Sequence, residues 1–367
     1  MPYLNDMFRE QNPGGLSAGE GRSESPGGPG TGTFDTNRVA DRLAERVLGQ
    51  QPALDAVRRA LLPVQAGVHD RERPLASMLL VGPTGVGKTE LVRRLAAELR
   101  SGPDDLCRVD MSQLAQEHYA ASFAGAPPGY AGSKEGLSVF DRDKVEGGPL
   151  TPGIVLFDEV EKAHSTVLRA LLGVLDRGTL RLANGQQSIS FRNAFVFLTS
   201  NLGSRELARR RLAAVRSILD RVPALRGRGP VAEAVRRVPT RTAESVVDRA
   251  VREFFDPEFL NRLDDVVQFS EIDPTTARAI TRLEIGFVQH RLRTRGAELV
   301  VGDGAVEALC RQGFDPVHGA RSVRRVVQRL VLVPAASMLV QQRAANVPDP
   351  RILVGVEHGD VVLRLLP

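Results

Sequence analysis

An eight-residue, glycine-rich segment has the clearest chemical signature in this chain. It follows an apolar run at 78–81, precedes a helical pattern at 91–99, and consists of Gly82, Pro83, Thr84, Gly85, Val86, Gly87, Lys88 and Thr89. A strand, a glycine-rich turn and a helix N-terminus together direct backbone N–H groups and positive potential at phosphate oxygens. Lys88 would contact the β- and γ-phosphates, and the Thr89 hydroxyl would ligate Mg²⁺. The segment predicts a nucleotide site. The choice of lysine supports this, because the chain has 45 Arg and only 4 Lys.

Two carboxylates end a second apolar run, 70 residues after Lys88. The run 154–157 leads directly into Asp158 and Glu159, and a buried strand seldom ends in two acids without a cation or polar partner nearby. Beside the phosphate loop, Asp158 would hold Mg²⁺ through water, and Glu159 would polarise the water that attacks the γ-phosphate. A third apolar run, 195–198, leads to Asn201, whose amide could orient that water. Asn at a strand end is also a common turn residue.

Length and composition are those of a soluble globular protein. The 367 residues are 42% hydrophobic and 25% charged, and they suggest two or three domains. The net charge of +5 comes almost entirely from arginine. We favour codon bias in a GC-rich genome as the cause of this arginine content over a role in nucleic-acid binding. Cys107 and Cys310 have neither metal nor redox spacing. No apolar signal core follows Met1, and the longest apolar run, 330–340, is too short for a membrane span. We therefore expect a cytoplasmic protein without membrane association.

The chain divides into three predicted segments. Residues 1–33, with 8 Gly and 4 Pro, predict a disordered Gly/Pro-rich tail. Residues 34–270 alternate helical periodicity with continuous apolar runs, which predicts an α/β nucleotide-binding domain with a parallel sheet flanked by helices. Residues 271–367 predict a smaller, mainly helical α/β domain. Its pattern contains a long helix at 274–294, a strand at 297–301, two further helices, and a final β pair at 352–356 and 361–365.

An arginine-rich block interrupts the larger domain. Residues 205–241 contain 11 Arg against three acidic residues, Glu206, Asp220 and Glu233. A solvated helical insertion is the favoured interpretation. A basic surface for an acidic partner or a nucleic acid is the alternative.

Together with several further segments, these residues make the chain similar to the second ATPase module of the Clp AAA+ unfoldases. The resemblance covers about residues 38–366, in family order and at family-like spacing apart from inserted stretches. The matching segments are 47–50, 82–89, 108–112, 125–132, 156–164, 199–204, 257–264 and 319–321. The resemblance implies an AAA+ P-loop fold, ATP and Mg²⁺ as cofactors, and a hexameric ring that hydrolyses ATP to thread a protein substrate through its pore.

The resemblance also implies roles for individual residues. Val47 and Leu48 correspond to the segment that contacts adenine. Asn201 matches the residue called sensor one, and Arg321 matches sensor two, which reads the γ-phosphate from the small domain of the same chain. Arg262 matches the arginine finger, which reaches the γ-phosphate of a neighbouring subunit. Both arginines offer planar donors suited to phosphoryl transfer, although outside these motifs a surface ion pair would explain either one.

The matching pore loop contains Gly129, Tyr130, Ala131 and Gly132. By resemblance, Tyr130 is the aromatic residue that grips a polypeptide. The prolines at 127–128 would stiffen the stem of the loop, and the glycines would let its tip move. Anchoring of the loop to the core is the alternative role for Tyr130. Ala131 departs from the family, which usually has Val at this position.

Three further questions bear on partners. Ile285-Gly286-Phe287 is similar to the tripeptide that docks some relatives on the ClpP peptidase, but it falls within the predicted small-domain helix. We interpret it as helix packing and expect no ClpP partnership. Two functions compete with protein threading. One is a nucleic-acid-associated motor that uses the arginine-rich block, which salt-dependent binding of DNA or RNA would reveal. The other is an ATP-gated scaffold, which would not need Tyr130.

Overall fold

The computed structural model describes residues 34–116, 123, 139–148, 150–181, 188–204, 206, 240–314, 319–345 and 347–366, with side chains left out at 240–245. Within these residues the α-helices, in chain order, are α1 (Thr36–Ala44), α2 (Gln51–Gln65), α3 (Lys88–Leu99), α4 (Arg142–Glu146), α5 (Ser165–Arg177), α6 (Thr240–Phe254), α7 (Pro257–Leu260), α8 (Pro274–Arg293), α9 (Asp303–Gly313), α10 (Arg321–Val327) and α11 (Val333–Ala344). The strands are β1 (Ala76–Val81), β2 (Cys107–Asp110), β3 (Gly153–Asp158), β4 (Thr179–Arg181), β5 (Ser188–Ser190), β6 (Ala194–Ser200), β7 (Asp265–Gln268), β8 (Glu298–Val301), β9 (Arg351–Glu357) and β10 (Asp360–Leu366).

Within the described residues, the main sheet has five strands in the order β2-β3-β6-β1-β7, and every neighbouring pair is parallel. Its central strands are buried on both faces, since all residues of β1 and β6 are buried. Alternate side chains enter two separate cores. On β3, for example, Val155 and Phe157 pack on one side, while Ile154 and Leu156 pack on the other. The continuous apolar runs therefore predicted the parallel strands correctly.

The carboxyl ends of β1, β3 and β6 meet at one edge of this sheet, and that edge positions the site. Val81, the last residue of β1, is in register with Ser200, the last residue of β6. Phe157 on β3 is in register with Leu198 on β6. The segments that follow these three strands therefore start side by side. Ligands bind at this edge of open α/β sheets.

The C-terminal part has its own small sheet and core, as the sequence predicts for a small α/β domain. Strands β8 and β9 are parallel, β9 and β10 are antiparallel, and helices α8 to α11 pack against them around Leu299, Leu309 and Ile352. The predicted long helix and the final β pair are confirmed. The two further helices are also confirmed: α9 is the first, and α10 and α11 together form the second. After α9, helix α10 passes through a π-helical segment, Gln328–Leu332, directly into α11. Pro334, which has no backbone N–H to donate, closely follows this π-helical segment.

Several predicted features lie outside the described residues. These are the tail at 1–33 and nearly all of the arginine-rich block at 205–241. Ile285-Gly286-Phe287 lies within α8, with Ile285 buried in the C-terminal core, in agreement with helix packing. Among the residues that the structure describes, no helix is long and apolar enough to cross a membrane.

Candidate nucleotide site

The glycine-rich segment forms the turn between β1 and α3, as predicted. Helix α3 begins at Lys88, and Gly87 caps it with φ 109°. The residues from Thr84 to Thr89 line a cleft of about 900 Å³. Val47 and Leu48, predicted to contact adenine, line the same cleft. The N-terminus of α3 therefore opens into a space large enough for a nucleotide, with its free N–H groups available for an anion.

Lys88 is held inside the turn. Its Nζ donates to the carbonyl oxygens of Gly82 (2.6 Å) and Pro83 (2.8 Å) and to Oδ1 of Asn201 (3.0 Å). Burial lowers the pKa of the Lys88 ammonium to about 8, although nearby carboxylates, Glu161 foremost, act in the opposite direction. Gly82 and Pro83 are thus part of the site through their carbonyl groups. A partly desolvated ammonium at the head of a cleft is a strong point charge for a phosphate.

Asp158 and Glu159 follow one another at the end of β3 and both line the cleft. Oδ1 of Asp158 accepts a hydrogen bond of 2.5 Å from the Thr199 hydroxyl, and its Oδ2 forms an ion pair with Arg108. Glu159 has φ 58°, in the left-handed region that non-glycine residues seldom adopt. Strain of this kind persists only where the surroundings enforce it, and it clusters at functional sites.

Asn201 connects the cation to the acids. Its Nδ2 donates to Oε1 of Glu159 (3.3 Å) while its Oδ1 accepts from Lys88. Its backbone N–H donates to Oε1 of Glu161 (3.1 Å). The structure therefore brings Lys88, Glu159 and Asn201 into one hydrogen-bonded group, as the sequence predicts for residues that end neighbouring parallel strands.

Arg321 reaches the cleft from the C-terminal domain. It is the first residue of α10, and the preceding residue, Ala320, donates its N–H to the carbonyl oxygen of Gly85 in the phosphate loop (3.2 Å). Arg321 lines the cleft, and its charge acts on Lys88. The backbone of the small domain thus touches the phosphate loop.

Arg262 is not brought to this cleft. Its guanidinium forms ion pairs with Asp176 on α5 and with Glu258 (2.9 Å). The neighbouring Asp264 forms three hydrogen bonds with Ser77 near the start of β1. Its backbone N–H donates to the carbonyl oxygen of Ser77 (2.9 Å), and its Oδ2 accepts from the backbone N–H (2.7 Å) and the hydroxyl (2.8 Å) of Ser77. Lys88 follows the other end of that strand, so about 15 Å of extended chain separates the two regions. Arg262 therefore lies at the opposite edge of the sheet from the phosphate loop of its own chain.

Sequence reasoning missed three side chains that shape the site. Thr199 and Arg108 hold Asp158, and Glu161 holds the backbone of Asn201. One signal was available, since a hydroxyl at the end of an otherwise apolar buried strand needs a partner. For Arg108 and Glu161 the sequence gives no comparable signal. The predicted pore-loop residues Gly129, Tyr130, Ala131 and Gly132 lie outside the described residues.

The residues present suit a magnesium–nucleotide complex. Thr89 and Asp158 line the cleft and offer the oxygen ligands that Mg²⁺ prefers. Within the described ranges, no cluster of three or more His, Cys, Asp or Glu side chains could hold a metal by itself. Thr89 and Asp158 as donors fit Mg²⁺, which is usually bound by one or two protein groups together with substrate phosphates and waters.

A phosphate loop at the head of a five-stranded parallel sheet, two acids on the next strand but one, and a helical C-terminal domain that touches the loop define an AAA+ nucleotide-binding protein. The family described as "AAA domain (Cdc48 subfamily)" matches residues 73–266. The family described as "C-terminal, D2-small domain, of ClpB protein" matches residues 272–350. The chain belongs to the Clp-type AAA+ ATPases.

Relatives agree with this assignment. An "ATP-dependent protease ATP-binding subunit-like protein" from Rhodococcus erythropolis is 55% identical over 99% of this chain and 98% of its own length. "Chaperone protein ClpB" from Nitratidesulfovibrio vulgaris is 38% identical over 83% of this chain, a match that spans 32% of the relative. Among solved structures, a closed-state reconstruction of Hsp104 with ATPγS and FITC-casein has a TM-score of 0.69 at 28% identity. It covers 90% of this chain and 52% of that chain.

Proposed function

We propose that this protein is a remodelling chaperone that hydrolyses ATP in an oligomeric ring and threads protein substrates through a central pore. The observation that carries the proposal is the position of Arg262, a strand's length away from the phosphate loop of its own chain. The resemblance to chaperone protein ClpB and to Hsp104, whose structure was determined with casein, supports a protein substrate.

Within one chain, the cleft would bind MgATP and carry out hydrolysis. Lys88 would bind the β- and γ-phosphates, and Mg²⁺, held by Thr89 and through water by Asp158, would neutralise developing charge on the phosphate oxygens. Glu159 would orient the attacking water and accept its proton. Asn201 suits the role of sensor one, since it already hydrogen-bonds both Lys88 and Glu159.

The two arginines would act on different subunits. Arg321 lines the cleft of its own chain, which supports its role as sensor two. Arg262 would complete the site of a neighbouring chain. Its guanidinium lies outside the cleft of its own chain, and 27% of the Arg262 side-chain surface is exposed. A finger that serves the next subunit requires a head-to-tail arrangement, which gives a ring when the rotation between subunits closes. A hexamer is the size that the resemblance implies.

Tyr130 provides the test of threading, because an aromatic ring can grip an extended chain without sequence preference. We expect Tyr130→Ala to assemble and to hydrolyse ATP within a few-fold of the parent, yet to lose unfolding of a tagged model protein. Tyr130→Phe, which keeps the ring, should retain both activities. ATPase and unfolding should be measured on the same preparations. Equal unfolding by the alanine variant and the parent would reject threading and favour an ATP-gated scaffold.

A further inference from the structure

One buried hydroxyl contacts both acids of the proposed hydrolytic site. Thr199 lies next to the end of β6, with 1% of its surface exposed. Its Oγ1 donates to Oδ1 of Asp158 (2.5 Å) and accepts the backbone N–H of Glu159 (3.1 Å). A hydroxyl has one hydrogen to give and lone pairs to accept with. The Thr199 hydroxyl therefore donates to one residue and accepts from the next, at the end of the neighbouring strand β3.

The second of these hydrogen bonds stabilises a strained backbone. Glu159 adopts φ 58°, a conformation that costs a non-glycine residue free energy and needs support from its surroundings. The N–H of Glu159 is directed at Thr199 in this conformation, and its carboxylate is directed at the amide of Asn201. The turn after β3 is thus fixed at two points, and both anchors come from the end of β6.

Packing alone does not explain a threonine here. Residues 194–198 of the same strand are all apolar, and valine has nearly the same shape as threonine. A hydroxyl in this position costs desolvation unless it is hydrogen-bonded, so its presence is explained by the two bonds that it forms.

We propose that Thr199 is a positioning residue for ATP hydrolysis: its hydroxyl fixes the carboxylate of Asp158 and the backbone of Glu159 relative to each other. The inference rests on the proposed roles of these two acids. Thr199 itself would not contact the reacting atoms. It would act through Glu159, which orients water, and through Asp158, which holds Mg²⁺.

Two substitutions separate the hydroxyl from the shape of the side chain. Thr199→Val keeps the shape and removes the hydroxyl, and Thr199→Ser does the reverse. We expect Thr199→Val to lower kcat by about 10- to 100-fold, the usual cost of losing a partner that orients a ligand, and to raise the Mg²⁺ concentration for half-maximal turnover. Its affinity for ATP, measured in EDTA, should change less than about threefold, since Lys88 is untouched. Thr199→Ser should stay within a few-fold of the parent.

A second buried threonine, which neither lines the cleft nor contacts the two acids, supplies the matched control. Thr281 is completely buried in α8, and its hydroxyl donates to the carbonyl oxygen of Ala277 (2.8 Å). Thr281→Val removes a buried hydroxyl of the same kind and should leave kcat and the Mg²⁺ dependence unchanged. If Thr199→Val does not fold, as judged by circular dichroism, the comparison of Thr199→Ser with Thr199→Ala decides, because these variants differ only in the hydroxyl.

The inference is overturned if Thr199→Val, or Thr199→Ala where valine does not fold, hydrolyses ATP at the parental rate. It is equally overturned if Thr199→Ser loses as much kcat as the variant without a hydroxyl.

A Glu159→Gln variant tests the proposed site separately. Full turnover by Glu159→Gln rejects the proposed base, whatever Thr199 does. An inactive Glu159→Gln with a fully active Thr199→Val rejects only the inference about Thr199. In the Glu159→Gln background, Thr199→Val should cause a smaller loss of rate than in the parent, because the contribution through Glu159 is already lost.

Discussion

Lys88 and Glu159 differ in the stage of the reaction at which they are proposed to act, and single substitutions should separate them. Lys88→Ala removes a ground-state phosphate contact, so we expect ATP binding to weaken by about 100-fold, the upper range for a hydrogen bond to a charged group. Glu159→Gln should bind ATP as the parent does and lose about 10²- to 10⁴-fold in kcat, the contribution of a general base. Binding of a fluorescent ATP analogue and phosphate release measure the two effects. Rapid turnover by Glu159→Gln would exclude it as the base.

The buried ammonium also predicts a pH dependence. Burial places the pKa of Lys88 at about 8 in the nucleotide-free protein, so this group is charged below that pH and increasingly neutral above it. Only the charged form attracts phosphate strongly. We therefore expect affinity for ATP to fall about tenfold between pH 7 and pH 9, the change that a single titrating group of this pKa gives.

Lys88→Ala is the control for this dependence, because it has no ammonium to titrate. Its weak residual binding should stay flat over the same interval. An unchanged affinity of the parent up to about pH 10, where an ordinary lysine titrates, would mean that burial does not lower the pKa of Lys88.

At the scale of elements, the contact between the small domain and the phosphate loop is made by backbone atoms. Gly319 has φ 62°, and a Cβ atom there would lie 2.7 Å from the carbonyl oxygen of Gly85. We expect Gly319→Ala to displace this contact and the start of α10 with it, which moves Arg321 in the cleft. The variant should lose about tenfold or more in kcat, since small misplacements of a charged group near the reaction cost this much. ATP turnover and thermal stability should be measured together.

Gly359 provides a matched control for the strained backbone. It has φ 92° in the turn between β9 and β10, and no atom lies within 4 Å of a Cβ placed there. Gly359→Ala should therefore lower stability by about 1 kcal/mol through the backbone alone and leave kcat unchanged. Equal losses of kcat in both variants would show that the Gly319 contact has no special role.

The elements also show how far sequence reasoning reaches. Continuous apolar runs located β1, β3 and β6, and the residue types at their ends located Lys88 and the paired acids, because parallel strands bring their carboxyl ends to one edge. The contacts of Thr199 with Asp158 and of Arg262 with Asp176 join residues 41 and 86 positions apart. Such contacts depend on which strands and helices become neighbours, and periodicity along the chain contains no information about that. The roles of Arg262 and Tyr130 came from family resemblance and stay predictions.

At the scale of the whole molecule, the two opposite edges of the main sheet contribute different residues to the proposed ring. The phosphate loop occupies one edge, and Arg262, paired with Asp176 and Glu258, occupies the other. Head-to-tail assembly would place the second edge of one chain against the first edge of the next. In the single chain, the carboxylates of Asp176 and Glu258 bind the guanidinium of Arg262. The phosphates of a neighbour's nucleotide would therefore compete with these carboxylates for the guanidinium.

This arrangement predicts that ATP hydrolysis depends on assembly. Specific activity should rise with protein concentration and level off as a large species forms in the presence of ATP, which can be followed by light scattering on the assayed samples. Arg262→Ala should assemble but hydrolyse slowly, by about 10³-fold or more, the usual contribution of an arginine finger. A monomer with full, concentration-independent activity would contradict the ring.

Mixed rings give the sharpest test of a finger that acts on the neighbouring chain. Arg262→Ala subunits have an intact cleft and no finger, whereas Glu159→Gln subunits have a finger and an inactive cleft. In an equal, random mixture about a quarter of the interfaces would join an intact cleft to an intact finger, so hydrolysis should reappear although each variant alone is nearly inactive. Glu159→Gln mixed with the double variant Glu159→Gln/Arg262→Ala contains no such interface and should stay inactive. If the first mixture is no more active than its components, Arg262 does not serve the site of a neighbouring chain.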